Sequence, residues 1–355
     1  MKVLVIAEAF IVSGLISFIL TLALTKLTYK CNCFNKFNNR IFKEKNAPRI
    51  GGISVFFSVF FSMLFIHMVT SNYIFQDLDK IINIPLLIIA ILIIFTLGLY
   101  DDFIGTNVLS KIFFQIIAAA IIYFGGLKIA EISIPFIGSK NINFFLSFLL
   151  TILWVCGITN AVNIIDGVNG LAAGISFFAL LSLGVLAFLS SQYYLVVIIA
   201  VLLGVISGFY PFNFPRAKIY LGDSGSLVIG FVLAALSMAT IQRKASLAIV
   251  LLIPIIILFL PILETVVTII RRIYKRKNIF KRDTDHLHYR FLRKGFSETK
   301  TTLILTFISF LFSLSGILFE FVKRELRVLL LFSIFLICFF LLKYLGYIRI
   351  NSRSK

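Results

Sequence analysis

The sequence predicts an all-α polytopic membrane protein that forms one domain over residues 1–355, and two observations predict this class. Hydrophobic residues make up 60% of the chain and charged residues only 14%, whereas soluble domains average about 45–50% apolar and about 25% charged. The chain also has many apolar windows long enough to cross about 30 Å of hydrocarbon. These windows must be helices, because lipid leaves backbone groups no outside partners and a barrel strand needs only about 10 residues.

The apolar windows number about eleven and are separated by polar loops. They lie near residues 4–27, 50–70, 81–100, 111–126, 143–163, 169–190, 193–211, 224–242, 246–270, 301–322 and 327–347. The first window is longer than the apolar part of a signal peptide, which predicts a retained span. The ninth window contains Pro254 and Pro261, and prolines inside a helix predict a break there.

The basic residues predict the orientation of the chain. The formal net charge is +19, and the cations are concentrated in the first and ninth loops. The first loop carries Lys30, Lys36, Arg40, Lys43, Lys45 and Arg49, and the ninth carries Arg271, Arg272, Lys275, Arg276, Lys277, Lys281, Arg282, Arg290, Arg293 and Lys294. The positive-inside rule therefore places every odd loop in the cytoplasm, the N-terminus outside and the C-terminus inside. Lys2, Arg243 and Lys244 oppose this assignment but are few.

The four cysteines predict neither a disulfide framework nor a zinc site. Cys156 and Cys338 fall inside apolar windows, and only Cys31 and Cys33 share a loop. Zinc needs about four ligands, and no further His or Cys lies near that pair. We therefore expect free thiols.

Polar residues that no ordinary loop requires occur at the ends of four spans, and all of them fall on odd loops. They are Asp101 and Asp102, the run from Asn160 to Asn169 with Asn163 and Asp166, the pair Gly222 and Asp223, and His286 with His288. Unrelated solvated residues would be divided between the two sides of the membrane. The pattern predicts one shared polar pocket on the cytoplasmic face.

Asp101 and Asp102 directly follow the third span, at a helix end where the macrodipole disfavours negative charge. A paired carboxylate suits a general base or a metal site, although a polar end to the span is the alternative. Lys111 opens the fourth span with Gln115 one turn further on the same face. By itself, Lys111 would be an ordinary interfacial cation.

The next two motifs each have a structural alternative. In NAVNIIDGVNGLAAG, turn chemistry explains Asn169 and the glycines, and helix packing explains Gly170 and Gly174 equally well. Neither turn chemistry nor helix packing explains why the polar residues Asn163 and Asp166 lie near the lipid. In KIYLGDSGSLVIG, the start of the eighth span predicts an anion site at a helix N-terminus. The alternative is that Asp223 or Ser224 merely caps the helix.

The segment DTDHLHYR places His286 and His288 two residues apart among many cations. Such histidines are mainly neutral and can donate a hydrogen bond to phosphate or sugar. A solvated basic loop is the alternative. His67, midway in the second span, is expected to be a packed or lumen-facing residue outside this site.

Taken in order, the motifs DD, NxxNxxDGxNGL, GDSGS and HxH resemble the polyprenyl-phosphate N-acetylhexosamine-1-phosphate transferase family, which is glycosyltransferase family 4. PRIGG at residues 48–52 extends the resemblance to nearly the whole chain. The resemblance implies transfer of a sugar 1-phosphate from a UDP-N-acetylhexosamine to a polyprenyl phosphate such as undecaprenyl phosphate, with release of UMP. It also implies a requirement for Mg²⁺, for which Mn²⁺ can substitute, a bacterial inner-membrane location with the active site facing the cytoplasm, and a homodimer.

The resemblance also implies a role for each matching residue. Asp223 and Asn163 resemble metal ligands, and Asp166 resembles a close partner of the metal site. Asp101 and Asp102 resemble acids on the acceptor side, and Lys111 resembles a phosphate-contacting lysine. The substrate-binding set comprises Asn169 as a uracil contact, His286 and His288 as contacts to pyrophosphate and sugar, and Gly222 and Arg290.

Two departures from the family pattern bear on the substrate. Asn169 stands where most bacterial members have Asp, and Tyr289 follows HxH where many have a further histidine. Both departures argue against the pentapeptide substrate of peptidoglycan synthesis. A plain UDP-N-acetylhexosamine is favoured, with UDP-GlcNAc first and the 6-deoxy sugars of O-antigen initiation as the alternative. The product would initiate a cell-envelope polysaccharide such as that of lipopolysaccharide.

Two other function classes compete with a transferase. A transporter or carrier of phosphorylated lipid or sugar also needs many spans and polar groups at depth, but such sites tend toward the bilayer midplane with inverted repeats. A membrane-anchored binder of anionic polymers would use the basic loops and leave the carboxylates unexplained. Close carboxylates repel by about 4 kcal/mol per pair at about 4 Å and an effective dielectric near 20. Such a cluster favours a divalent cation, and oxygen ligands suit Mg²⁺.

Overall fold

The computed structural model describes residues 2–31, 47–70, 79, 82–134, 138–242, 252–277 and 285–347. Several charges used for the orientation lie outside these residues, namely Lys36, Arg40, Lys43, Lys45, Arg243, Lys244, Lys281 and Arg282. Cys33 also lies outside them. The orientation of the chain across the membrane therefore stays a prediction. Cys156 and Cys338 are free thiols, as expected.

The described part of the chain is almost entirely helical. Its elements, in chain order, are α1 (Lys2–Cys31), α2 (Gly51–Val69), α3 (Ile84–Phe103), α4 (Val108–Phe124), β1 (Glu131–Ile134), β2 (Gly138–Asn141), α5 (Phe144–Ile165), α6 (Leu171–Leu189), α7 (Tyr193–Asn213), α8 (Gly222–Gln242), α9 (Leu252–Ile257), α10 (Phe259–Tyr274), α11 (Leu287–Arg293), α12 (Glu298–Phe321) and α13 (Arg324–Tyr344).

Nine helices in the described ranges are long and apolar enough to cross a membrane: α1, α2, α3, α5, α6, α7, α8, α12 and α13. The multi-pass class is therefore confirmed, whereas the count of about eleven is not. Helix α4 is apolar but has only 17 residues. The described part of the predicted ninth span is divided at Leu258 into α9 and α10, with Pro254 and Pro261 on either side. Pro261 has no N–H to donate to the Ile257 carbonyl.

The prediction of an all-α fold overlooked one short hairpin. Strands β1 and β2 pair antiparallel, with Glu131 opposite Asn141 and Ile134 opposite Gly138. Each strand has four residues: β1 reads EISI and alternates, whereas β2 reads GSKN and has no apolar residue, so the sequence shows no second alternating strand. The hairpin leads into α5, where Asn143 caps the helix by accepting a hydrogen bond from Leu146 N at 2.9 Å.

Helix α8 lies at the centre of the bundle. In its span window, 89% of the residues are buried, against 17% for α1 and 11% for α13 at the periphery. It packs against α2, α3, α5 and α6. The first residues of α8 therefore lie in the middle of one end of the bundle, where the surrounding helices can bring side chains to them.

Glycines allow the neighbouring helices to approach the start of α8. Gly98 of α3 lies against the backbone of Ser224, and Gly52 of α2 lies against the backbone of Gly225. A side chain on either glycine would overlap that backbone, so the small residues are required by the close approach. These two glycines thus allow α2 and α3 to pack directly against the end of α8 that carries Asp223.

Candidate active site

The segment around PRIGG holds the start of α8 in place through backbone hydrogen bonds. Gly51 N donates to Tyr220 O at 2.8 Å, Gly52 N donates to Leu221 O at 2.7 Å, and Tyr220 N donates to Pro48 O at 2.8 Å. Gly222 follows with φ of +75°, a left-handed conformation that glycine adopts at little cost. These contacts turn the chain into α8 beside the end of α3.

Asp102 caps α8 from the C-terminal end of α3. Its Oδ1 accepts from Asp223 N at 2.8 Å, and its Oδ2 accepts from Ser224 N at 2.9 Å and Ser224 Oγ at 2.7 Å. Asp102 is 3% exposed. A buried carboxylate with three donors at a positive helix end is well compensated. Asp102 therefore joins two helices.

This cap corrects the expectation of an anion site at the N-terminus of α8. The N–H groups of Asp223 and Ser224 already donate to Asp102, so the protein's own carboxylate fills that position. Gly222 lies against the same carboxylate, and a side chain there would contact both of its oxygens. The geometry gives Gly222 the function of making room for Asp102, and its predicted substrate contact stays a prediction.

Lys111 links the two remaining acids of this cluster. Its Nζ lies 2.8 Å from Asp101 Oδ2 and also forms an ion pair and hydrogen bond with Asp223 Oδ2. Thr106 fixes the other oxygen of Asp101 by donating from both its backbone N and its Oγ1, each at 2.6 Å. Side-chain exposure is 8% for Asp101 and 19% for Asp223. The two acids share one ammonium, which leaves an excess of negative charge.

The end of α5 brings the amides of NxxNxxD to the same place. Asn163 Nδ2 donates to Ser226 Oγ at 2.9 Å, one turn into α8. Asp166 is the C-cap residue of α5, and its N donates to Asn163 O at 3.3 Å. One turn earlier, Asn160 and Gln115 exchange hydrogen bonds through their amide groups. The contact between Asn163 and Ser226 thus joins the end of α5 to α8, the helix that begins with Gly222 and Asp223.

Asn169 lies in the turn that connects α5 to α6. Gly170, with φ of +73°, donates from its N to Asn213 Oδ1 at 2.9 Å, and Asn169 O accepts from Thr302 Oγ1 at 2.8 Å. Among the described residues, the Asn169 amide has one contact, a long one from Nδ2 to Pro215 O at 3.4 Å. The turn is therefore well fixed, while the amide keeps most of its hydrogen-bonding capacity.

The two histidines lie at the start of α11, with their rings 5.7 Å apart and nearly parallel. His288 lies against Gly167, directly after Asp166. His286 is the N-cap residue of α11. Exposure is 9% for His286 and 1% for His288, so His286 is the ring that a ligand can reach more readily.

Arg290 belongs to an ion cluster that anchors the same loop. Its Nε and Nη2 bind both oxygens of Asp285 at 2.8 and 2.7 Å, and its Nη1 donates to Leu345 O at 2.9 Å. Burial alone would raise the pKa of Asp285, but hydrogen bonds from Arg290 and Arg293 and the charge of Arg271 hold that pKa well below its usual range. The guanidinium thus has structural partners, and the predicted substrate contact of Arg290 stays a prediction.

The donors at this site suit a magnesium ion better than a metal that needs a full set of protein ligands. In the described part of the chain, no group of three or more His, Cys, Asp or Glu side chains has the geometry of a metal site. Mg²⁺ is usually held by one or two carboxylates, with substrate phosphates and waters completing the shell. The carboxylate of Asp223 and the amide oxygen of Asn163, whose Nδ2 is bound to Ser226, fit that chemistry.

Several residues that build the site were not predicted as parts of it. Thr106 fixes Asp101, Ser226 fixes Asn163, and Glu264 of α10 binds His286 at 2.7 Å. Only Glu264 gave a usable signal, because a lone acid in the apolar run PILETVV requires a partner. The hydroxyl residues are unremarkable in sequence, and only the tertiary structure identifies them.

The geometry of Asp102 leads to a prediction that separates it from Asp101. Asp102→Ala should lower the stability of the protein by about 1–3 kcal/mol, because it leaves two buried N–H groups without acceptors. Asp101→Ala should lower stability less. Thermal unfolding in detergent, together with activity per folded molecule, checks this. An Asp102→Ala protein that unfolds at the wild-type temperature and yet is inactive would instead support the predicted direct role of Asp102 in catalysis.

Comparison with known proteins adds an independent finding. Residues 84–241 match the family model described as glycosyl transferase family 4. This segment contains the acids, the amides and the start of α8. The HxH loop lies outside the matched segment.

Three relatives extend the similarity along the chain. The "Probable undecaprenyl-phosphate N-acetylglucosaminyl 1-phosphate transferase" of Bacillus subtilis is 33% identical over 95% of this chain and 90% of its own length. The "Undecaprenyl-phosphate alpha-N-acetylglucosaminyl 1-phosphate transferase" of Thermotoga maritima is 29% identical over 86% and 88%. A "Phospho-N-acetylmuramoyl-pentapeptide-transferase" of Lactobacillus johnsonii is 34% identical over 77% and 84%. The chain therefore belongs to glycosyl transferase family 4, the family of polyprenyl-phosphate sugar-1-phosphate transferases that its motifs resemble.

Proposed function

We propose that this protein transfers N-acetylhexosamine 1-phosphate from a UDP-sugar to a polyprenyl phosphate and releases UMP. The observation that carries the proposal is the position of Lys111, whose ammonium lies between Asp101 and Asp223 at the central helix of the bundle. The relatives named above as undecaprenyl-phosphate transferases support the acceptor class. A phosphate oxygen of the acceptor attacks the β-phosphorus of the donor. The bond from that phosphorus to the bridging oxygen breaks, and UMP leaves.

Asp223 and Asn163 are the residues that would hold Mg²⁺, with Asp166 close by. When bound, the ion supplies positive charge that offsets the charge developing on the pyrophosphate. The remaining excess of carboxylate over ammonium in the cluster of Asp101, Lys111 and Asp223 supports a bound cation there.

The chain's own residues have separate tasks in this proposal. Lys111 contacts the transferred phosphate and neutralises part of its charge. Asp101, held by Thr106, orients the acceptor and takes a proton from its phosphate when that group arrives protonated. The second pKa of a phosphate monoester is near 6, so the acceptor is mostly ionised at pH 7 and positioning is the larger contribution. His286 and His288 contact the pyrophosphate and sugar, and Asn169 contacts the uracil.

We further propose that the donor is UDP-GlcNAc and that the reaction occurs at the cytoplasmic side of a bacterial inner membrane. Asn169 and Tyr289 favour a plain UDP-N-acetylhexosamine over a peptide-bearing donor. The basic residues of the first and ninth loops support the orientation. Two of these cations are described beside the site, since the Arg49 carbonyl lies against Gly222 and Arg271 pairs with Asp285, next to His286.

Analysis of the reaction products tests whether the protein transfers a sugar phosphate. The purified protein in detergent should release UMP from UDP-GlcNAc only when polyprenyl phosphate and Mg²⁺ are both present, and EDTA should stop the release. Release of UDP would indicate transfer of the sugar without its phosphate. A protein that binds UDP-GlcNAc or the lipid and releases no nucleotide under any of these conditions would instead be a carrier or a binding protein.

A further inference from the structure

Glu264 is a buried acid that none of the roles above uses. It lies on α10, is 1% exposed and follows Pro261 in an otherwise apolar stretch. A carboxylate removed from water is costly unless donors surround it. Its partners therefore indicate why the acid is there.

Both oxygens of Glu264 bind His286 and Leu287, at the start of α11. Oε1 lies 2.7 Å from His286 Nδ1, and Oε2 accepts from Leu287 N at 2.8 Å. Thr268 Oγ1 donates to Oε1 at 3.3 Å. The side chain of His286 makes no capping hydrogen bond. The N-terminal cap of α11 is therefore supplied by α10, because the Glu264 carboxylate binds both the backbone N–H of Leu287 and the imidazole of His286.

This contact determines which nitrogen of His286 is open to a ligand. An ionised carboxylate can only accept, so the hydrogen must be on Nδ1. Nε2 is then the nitrogen left for other partners. A carboxylate behind an imidazole fixes both its tautomer and its orientation, as it does in catalytic histidine pairs.

We infer that Glu264 is a positioning residue for the donor: by holding Nδ1–H of His286, it presents Nε2, which accepts a hydrogen bond in the neutral ring, to a hydroxyl or amide N–H of the sugar of the UDP-sugar. The inference rests on the proposed function, in which His286 contacts that part of the donor. Glu264 itself touches neither substrate.

The loop has a second anchor, which makes the inference testable. Asp285 binds Arg271 of α10 and Arg290 of α11 at 2.7 Å each, and Tyr347 Oη donates to Asp285 O at 3.1 Å. These contacts do not involve Glu264. Loss of the Glu264 carboxylate should therefore misplace one ring without releasing the loop.

The kinetic test compares Glu264→Gln, His286→Ala and the double variant with wild type. Glutamine offers one acceptor to two donors, so Glu264→Gln should raise the KM for UDP-GlcNAc about tenfold while kcat changes little. In the His286→Ala background the same substitution should have almost no further effect on KM. A wild-type KM in Glu264→Gln, or an equal rise in both backgrounds, would overturn the inference.

Glu131→Gln is the matched control and should behave as wild type. Glu131 lies in the hairpin before α5, whose 22 residues separate it from Asn163 by about 30 Å at about 1.5 Å per residue.

A second readout does not depend on activity. The chain has three histidines, so nitrogen-15 NMR of the imidazoles gives few signals, and the signal missing from His286→Ala identifies that ring. Wild type should show a carboxylate-bound Nδ1–H for His286, and Glu264→Gln should lose it. An unchanged signal would overturn the inference even if UDP-GlcNAc proved not to be the donor, whereas a wild type that releases no UMP would refute only the proposed function.

Discussion

Asp223→Asn is expected to abolish turnover, with kcat lowered on the order of 1,000-fold. The substitution removes the carboxylate assigned to the metal and leaves Lys111 paired with Asp101 alone. The protein should still fold, because the backbone N–H of residue 223 keeps its bond to Asp102. Initial rates at saturating donor and acceptor, over a range of Mg²⁺ concentrations, measure the effect.

Binding of Mn²⁺ to the same variant provides the control for the metal assignment. Paramagnetic resonance of Mn²⁺ should show weaker binding in Asp223→Asn than in wild type at equal protein concentration. A variant with normal activity, or an inactive variant that binds Mn²⁺ as wild type does, would remove Asp223 from the metal site.

Asp101→Asn is expected to lower kcat about 100-fold while the affinity for UDP-GlcNAc stays near the wild-type value. The amide can still accept from Thr106 but directs a donor toward Lys111, so the charge that positions the acceptor is lost. Calorimetric titration with UDP-GlcNAc separates binding from turnover.

Asp79→Asn is the matched control for this variant. Asp79 Oδ1 accepts from Ile84 N at 3.3 Å, at the opposite end of α3, and the substitution should leave kcat unchanged. An Asp101→Asn protein that loses nucleotide binding and keeps kcat would reverse the assignment and place Asp101 on the donor side.

The sequence predicted which residues meet but not how each is held. Asp101, Asn163, Asp166, Asp223 and His288 come from four separate segments, and their placement at span ends on odd loops predicted that they converge. The structure joins Asp101 and Asp223 through Lys111, ties Asn163 to Ser226 of α8, and places His288 against Gly167. Odd loops share one side of a membrane whatever the details of packing, so this part of the site follows from topology alone.

The functions of adjacent residues could not be separated in the same way. Asp101 and Asp102 are equivalent in the sequence, yet one binds Lys111 and the other caps α8. The difference is a rotation of about 100° around α3, which only matters once the neighbouring helices are in place. The contact between Glu264 and His286, which are 22 residues apart in the sequence, likewise depends on how the helices pack and could not be predicted.

Hydropathy also failed at two places in the fold. The window containing Pro254 and Pro261 is apolar apart from Glu264 and a few hydroxyl residues, so hydropathy does not show its division at Leu258, and only the prolines predicted a break. The hairpin at Glu131–Asn141 is short and polar at its second strand. Length and apolar content identify helices that cross lipid, and they carry little information on elements that do not.

The central claim is that a sugar leaves its nucleotide with a phosphate attached, and following the β-phosphorus of the donor tests it most directly. UDP-GlcNAc labelled with phosphorus-32 in the β position would be incubated with the protein, polyprenyl phosphate and Mg²⁺, and the lipid would be extracted. We expect the label in the lipid fraction in a 1:1 ratio with UMP, and neither product with Asp223→Asn. Label that stays in the aqueous phase as UDP, while sugar enters the lipid, would contradict the account.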